Sequence, residues 1–179
     1  QEKMQQMLGP LGMPNARLEV KITPQKSPLP KGMDQVTFYF SANKKSEQRP
    51  IAEVASGGEV ARVMLTLKTL ISEAKQLPTI IFDEIDTGVS GSIANCMAQM
   101  MIKMASNHKI QVISITHLPQ IAAMGTTHYQ VYKEDTSDQT LSHIKKLDKE
   151  ERIQEIANML SGAQVSQAAI ENAKQLLKI

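Results

Sequence analysis

Two strand-like runs one helix apart limit the fold more than any other feature of this chain. Thr79-Ile80-Ile81-Phe82 is short and continuously apolar, the pattern of a strand covered on both faces, and Ile110 to Ile115 reads as a second buried strand. Between them, Ile93, Met97, Met100, Met101 and Met104 fall on or near one face of a helix. Strand, helix and strand at this spacing predict a right-handed crossover joining two neighbouring parallel strands, with their carboxyl ends opening on one edge.

The other elements follow from periodicity and breakers. Gln1 to Leu8 reads as the tail of a polar helix, broken by Gly9-Pro10 and Met13-Pro14. Arg17 to Ile22 and Gln35 to Phe40 alternate polar and apolar residues across the proline-rich span Pro24 to Pro30, which predicts a hairpin with a long connection. From Ser56, the helical spacing of Val60, Val63, Met64, Leu67, Leu70 and Ile71 predicts an amphipathic helix ending before Pro78. Tyr129 to Lys133 and Thr140 to Leu147 read as a closing hairpin. Lys149 to Leu160 and Gln164 to Leu177 read as two helices broken at Gly162.

At 179 residues and 41% hydrophobic, the chain is long enough for one domain with a real core. A lone Cys96 and a start without an apolar leader predict a reducing, cytoplasmic setting. No stretch approaches the roughly 20 apolar residues needed to span a bilayer, so no membrane partner is expected. A net charge of +2 supplies no strong field for a polyanion, and aromatic residues for stacking bases are scarce at 3%.

Three constellations carry chemistry. Ser56-Gly57-Gly58-Glu59 opens the long helix, and Ser56 with Glu59 is the pattern of a capping box. The cap leaves the glycines unexplained, because each costs up to about 1 kcal/mol against alanine in a helix. Glycines at a helix amino terminus let an anion, phosphate above all, approach bare backbone amides. Ser-Gly-Gly is also common in loops, so a plain cap and a phosphate site both stand at this point.

Asp83-Glu84, then Asp86, follow the apolar strand where ligands bind in open α/β sheets. One carboxylate can hold Mg²⁺, usually through water, while its neighbour accepts a proton from a water attacking a γ-phosphate. Asp86 can turn the chain toward a neighbouring surface. A helix cap is the plainer reading of a lone acid; three in four residues after a wholly apolar strand are costly to desolvate without a cation or proton. His117 ends the second strand run, so it is expected on the same edge as Glu84, where an imidazole could bond a γ-phosphate. His108, His128 and His143 read as structural.

In this order and spacing the features resemble the carboxyl-terminal half of an ABC ATPase head. Val54-Ala55-Ser56-Gly57-Gly58-Glu59, Phe82-Asp83-Glu84-Ile85-Asp86-Thr87-Gly88 and Ile115-Thr116-His117-Leu118-Pro119-Gln120-Ile121-Ala122 resemble, within that superfamily, the SMC-like RecN family of bacterial DNA repair proteins. The resemblance implies an α/β lobe over residues 9–179 and the end of a coiled-coil arm over 1–8. It implies that Ser56, Gly57 and Gly58, with Glu59, form the signature contacting nucleotide on an opposite protomer, with Asp86 in the D-loop at the dimer interface. Asp83 would be the Walker B magnesium residue, Glu84 the catalytic base and His117 the γ-phosphate switch, while Arg62 would help to bind or communicate across the interface.

ATP and Mg²⁺ are the implied cofactors. The implied partners are the amino-terminal lobe of the same head, a second protomer and, in the full-length protein, DNA at double-strand breaks, with a nucleoid-associated location. No Gly-x-x-x-x-Gly-Lys-Ser/Thr loop occurs, and Lys31-Gly32 has the wrong order, so the chain by itself is expected to turn over no ATP. Alternatives are a metal-dependent nuclease built on Asp83, Glu84 and Asp86, and a structural interaction module without chemistry.

Overall fold

The computed structural model describes residues 1–30, 32–54, 56–136, 139–162 and 164–179, and the side chains of Leu29, Val54 and His108 fall outside that description. The chain divides into two units, Gln1–Ile115 and Thr116–Ile179.

The crossover at the centre of the first unit is as the spacing predicts. β4 (Thr79–Asp83) and β5 (Gln111–Ile115) are parallel neighbours, pairing Thr79 with Gln111 through Asp83 with Ile115, and α4 (Gly91–His108) joins them. Both carboxyl ends therefore open on one edge. Burial differs from expectation. Ile80 and Phe82 are buried, whereas Ile81, Ile113 and Ile115 are 53%, 41% and 51% exposed. Strand geometry sends alternate side chains to opposite faces, so only one face of the pair is covered, and Asp83 lies on the open face with these isoleucines.

α3 (Gly57–Lys75) is the amphipathic helix, but its buried residues are Val63, Leu65, Thr66, Thr69 and Ser72, while Met64 and Ile71 are exposed. The small polar residues tolerate burial because each hydroxyl has an acceptor within the helix. Thr66 donates to the Arg62 carbonyl at 2.9 Å, Thr69 to Leu65 at 2.8 Å and Ser72 to Thr69 at 2.8 Å. On α4, Met97, Met101 and Met104 are buried, as their spacing predicts. α1 (Glu2–Leu8) lies against α3 through buried Met4 and Leu8, with an ion pair from Lys3 to Glu73 at its rim.

The first hairpin is longer and its connection shorter than the prolines suggest. β1 (Arg17–Leu29) and β2 (Gly32–Ser41) pair from Arg17–Ser41 up to Pro24–Asp34, then shift register before Leu29–Gly32. Pro24 and Pro28 are accommodated because, among the described residues, β1 has only β2 beside it, and an edge strand needs no donor on its outer side. A two-residue strand, β3 (Arg49–Pro50), and a single helical turn, α2 (Ile51–Val54), bring the chain to α3.

The second unit holds α5 (Pro119–Ala122), the antiparallel pair β6 (Tyr129–Asp135) and β7 (Thr140–Lys146), then α6 (Lys149–Ser161) and α7 (Gln167–Leu177). Asp148 caps α6, accepting from the amides of Glu150 and Glu151 at 2.9 Å each, and Glu151 returns a carboxylate to the Asp148 amide at 3.1 Å. Ser166 caps α7 by accepting from the Ala169 amide at 3.1 Å. Ala123, Ile156, Ala157, Ala169 and Ala173 form the core of this unit; small residues let α6 and α7 approach closely. Among the described residues no helix is long and apolar enough to cross a membrane.

Candidate functional site

The start of α3 carries a complete capping box. The Ser56 amide donates to Glu59 Oε2 at 2.8 Å, and the Glu59 amide donates more weakly to Ser56 Oγ at 3.4 Å. Ser56 sits in the extended backbone of an N-cap at φ −67°, ψ 159°, and Ser56 and Gly57 are exposed. Ala55, which opens the motif, lies outside the described residues.

The two glycines have different reasons to be there. A side chain on Gly58 would put its Cβ 3.1 Å from the Gly88 carbonyl oxygen and 3.4 Å from that of Thr87. Gly58 is therefore required by close packing of one backbone on another, an intrachain cause that the sequence alone does not reveal. A Cβ on Gly57 would meet nothing within 4 Å. Gly57 is exposed at the helix amino terminus, where amides and dipole favour an anion, and packing gives no account of it.

Gly88, at φ +75°, belongs to the turn after β4. That turn begins at Glu84, whose amide extends the ladder by donating to Ile115 O at 3.1 Å. Glu84 has φ +45°, a left-handed conformation costing roughly 1–2 kcal/mol for a residue with a Cβ. Its carbonyl accepts from the Thr87 amide at 3.3 Å and the Thr87 hydroxyl at 2.8 Å, and Val89 N donates to Asp86 O at 3.3 Å. The turn aims Glu84 into solvent beside exposed Asp83.

Asp86 is placed differently from its two neighbouring acids. The residue is 1% exposed, so it is buried within this turn, where Asp83 and Glu84 are exposed. The nuclease alternative required all three acids on one site, and among the described residues no group of three metal-ligating side chains occurs. Asp83 and Glu84 alone remain accessible. An exposed carboxylate at a strand end suits a magnesium ion that keeps several waters and takes one or two protein ligands.

Arg62 is half-buried one turn further along α3, and among the described residues its Nε makes no hydrogen bond. Lys68 of the same helix reaches the Ile81 carbonyl at 3.4 Å and lies 5.3 Å from the centroid of the Phe82 ring.

His117 lies in the second unit and is exposed. It stands in a tight turn in which the Leu118 amide donates to Thr116 Oγ1 at 3.0 Å, and Leu118 O accepts from Ile121 and Ala122 at 3.1 and 3.0 Å. Pro119 opens α5 at a position where a missing donor costs nothing. His128 is buried and bonds the Ala122 carbonyl through Nε2. Burial pushes its pKa below the ordinary value of 6.5, and the nearby Arg152 charge adds to that, against the raising influence of the Ala122 bond and Glu155. His143 stacks on Tyr132 at 5.2 Å between ring centroids and has Glu134 Oε2 3.0 Å away.

No family model matches the chain. Curated relatives do. The DNA repair protein RecN of Deinococcus radiodurans is 42% identical over 167 residues, covering 93% of this chain and 29% of that protein. RecN of Bacillus subtilis is 42% identical over 147 residues, or 82% of this chain and 25% of that protein. RecN of Treponema pallidum is 39% identical over 182 residues, or 98% and 31%. The chain thus spans about a quarter to a third of the length of the relatives it matches.

Among solved structures, a chain from work on ATP-driven dimerization and DNA-stimulated activation of SMC ATPases superposes with a TM-score of 0.60 at 17% identity, covering 91% of this chain and 92% of that one. The Smc head domain with a coiled coil and joint from Pyrococcus yayanosii gives 0.65 at 20% identity, covering 87% and 28%. At such identity the likeness is one of fold. Over nearly its whole length, then, this chain belongs to the family of the DNA repair protein RecN, and its fold is that of an SMC head.

Proposed function

We propose that this chain is the carboxyl-terminal lobe of an SMC-like ATPase head that works in recombinational repair of DNA double-strand breaks. In this reading the full-length protein binds and hydrolyses ATP at a site shared between two heads. The relatives' name supports the repair role, and the fold of SMC heads supports the ATPase.

Each residue then has a task. The bare amide of Gly57 and the cap at Ser56, held in place by Glu59 and by Gly58 against Gly88, offer hydrogen-bond donors to the nucleotide of a second protomer. Asp83 would hold Mg²⁺, and Glu84 would accept the proton of the attacking water. The buried Asp86 shapes the D-loop turn that would meet the second protomer. His117 senses the γ-phosphate. Bound MgATP supplies the phosphoanhydride whose cleavage the site serves.

The chain's sequence contains no loop able to grip the phosphates, so it would contribute half of the site and turn over nothing alone. The amino-terminal lobe of the same head would supply that loop and cover Ile81, Ile113 and Ile115, with Asp83 at the rim. α1 would be the end of a coiled-coil arm, and the full-length protein would act on DNA in the cytoplasm, at the nucleoid.

The observation that carries this reading is the pairing of an open, capped helix terminus at Gly57 with two exposed acids at the carboxyl end of β4. Its test is Glu84→Gln in the full-length protein. Turnover should fall by about a hundredfold or more, while nucleotide affinity stays within about twofold. Equal loss of binding and turnover would remove Glu84 from the role of base. Ser56→Arg should abolish turnover that depends on head pairing and leave nucleotide binding to the same head intact; wild-type turnover would end the trans contact.

A further inference from the structure

We infer that Arg152 is a positioning residue for His117, clamping from α6 the loop on which that histidine stands. The inference rests on reading His117 as the γ-phosphate sensor.

The loop needs such a clamp. Between Thr116 and His128 the only regular element is α5, a single turn, and a helix that short has no stability of its own. Arg152 donates from Nη2 to the Gly125 carbonyl at 2.7 Å and from Nη1 to the Thr126 carbonyl at 3.3 Å. A guanidinium is a rigid planar fork, so two bonds to successive carbonyls orient both peptide planes at once. On the same loop the His128 ring bonds the Ala122 carbonyl, and a Cβ at Gly125 would already touch that ring at 3.4 Å. The His128 carbonyl in turn accepts from the Leu147 amide at 3.0 Å. Residues 122 to 128 are thus held at four carbonyls, those of Ala122, Gly125, Thr126 and His128, and one turn of helix transmits their position to His117.

The platform behind the clamp is rigid. The Asp148 box fixes the start of α6, Gln130 ties β6 to Glu155 at 2.7 Å, and Ile156 and Ala157 are wholly buried against Ala123. Holding the loop for stability alone could be done by apolar packing. Here the Arg152 Nε is buried and makes no hydrogen bond among the described residues. The two other nitrogens of the guanidinium both meet loop carbonyls.

The test uses the full-length protein and a double-mutant cycle between Arg152→Gln and His117→Ala, reading kcat, nucleotide Kd and thermal midpoint. Arg152→Gln should lower kcat about tenfold or more with Kd within about twofold, since a misplaced group costs rate before it costs binding. The double variant should be no slower than His117→Ala alone. Arg152→Lys, which keeps the charge and a donor but loses the fork, should fall between wild type and Arg152→Gln. If Arg152→Gln does not fold, the same cycle with Arg152→Lys decides.

Losses that multiply in the double variant would make Arg152 merely structural and overturn the inference. Unchanged kcat in Arg152→Gln beside a defective His117→Ala would overturn it while leaving the sensor reading intact. Unchanged kcat in His117→Ala would end the sensor reading and the inference with it.

Discussion

Gly57 and Gly58 are adjacent, alike in sequence, and subject to opposite constraints. Gly58 faces backbone that cannot move aside, with Gly88 O 3.1 Å from where a Cβ would lie, so Gly58→Ala should destabilise the chain by about 1–3 kcal/mol. Gly57 faces open space, and Gly57→Ala should leave stability unchanged or raise it by up to about 1 kcal/mol, as helix propensity favours alanine. Denaturant unfolding of the two variants checks this; equal effects would mean the Gly58–Gly88 approach is not a real constraint. Glu84 is the complementary case. Its left-handed backbone, φ +45°, should make Glu84→Gly more stable by up to about 1 kcal/mol even as the carboxylate is lost. A lower thermal midpoint for that variant would show that the side chain itself holds the turn.

At the scale of elements, the cap of α6 and a buried imidazole both bear on the stability of the second unit. Asp148 satisfies two amides of α6, so Asp148→Ala should cost about 1 kcal/mol, whereas Glu150→Ala, which removes only a first-turn charge, should cost a few tenths. Thermal unfolding distinguishes them, and equal losses would deny the box its role. His128 makes stability depend on pH. Burial, with the Arg152 charge, lowers its folded pKa below 6.5, so the unfolded chain takes up the proton first as pH falls. The stability it confers is present above 6.5 and is lost as pH drops below that value toward the folded pKa. His128→Gln should flatten this slope. A slope that survives the substitution would place the titration elsewhere.

For the molecule as a whole, the uncovered face of β4 and β5 sets its behaviour alone in solution. Ile81, Ile113 and Ile115 form an apolar surface on a two-stranded sheet whose outer edges lack partners among the described residues, and such surfaces drive association. The isolated chain should bind a hydrophobic dye and self-associate in sedimentation, and Ile81→Thr with Ile113→Thr should reduce both without changing its helix content. A chain that stays monomeric at high concentration would contradict this.

Sequence alone determined the features whose causes are local. The capping box of Ser56 and Glu59, the order of strand, helix and strand, the parallel pairing that follows from it, and the acids at the end of β4 were all readable, because backbone periodicity and capping act over a few residues. Tertiary structure alone decided what depends on distant neighbours. It buried Thr66, Thr69 and Ser72 and left Ile81 bare, turned Asp86 inward, assigned Gly58 to packing, and brought Arg152 to the carbonyls of residues 125 and 126. Burial belongs to pairs of surfaces, so no single stretch of sequence states which side of a strand or helix finds its cover.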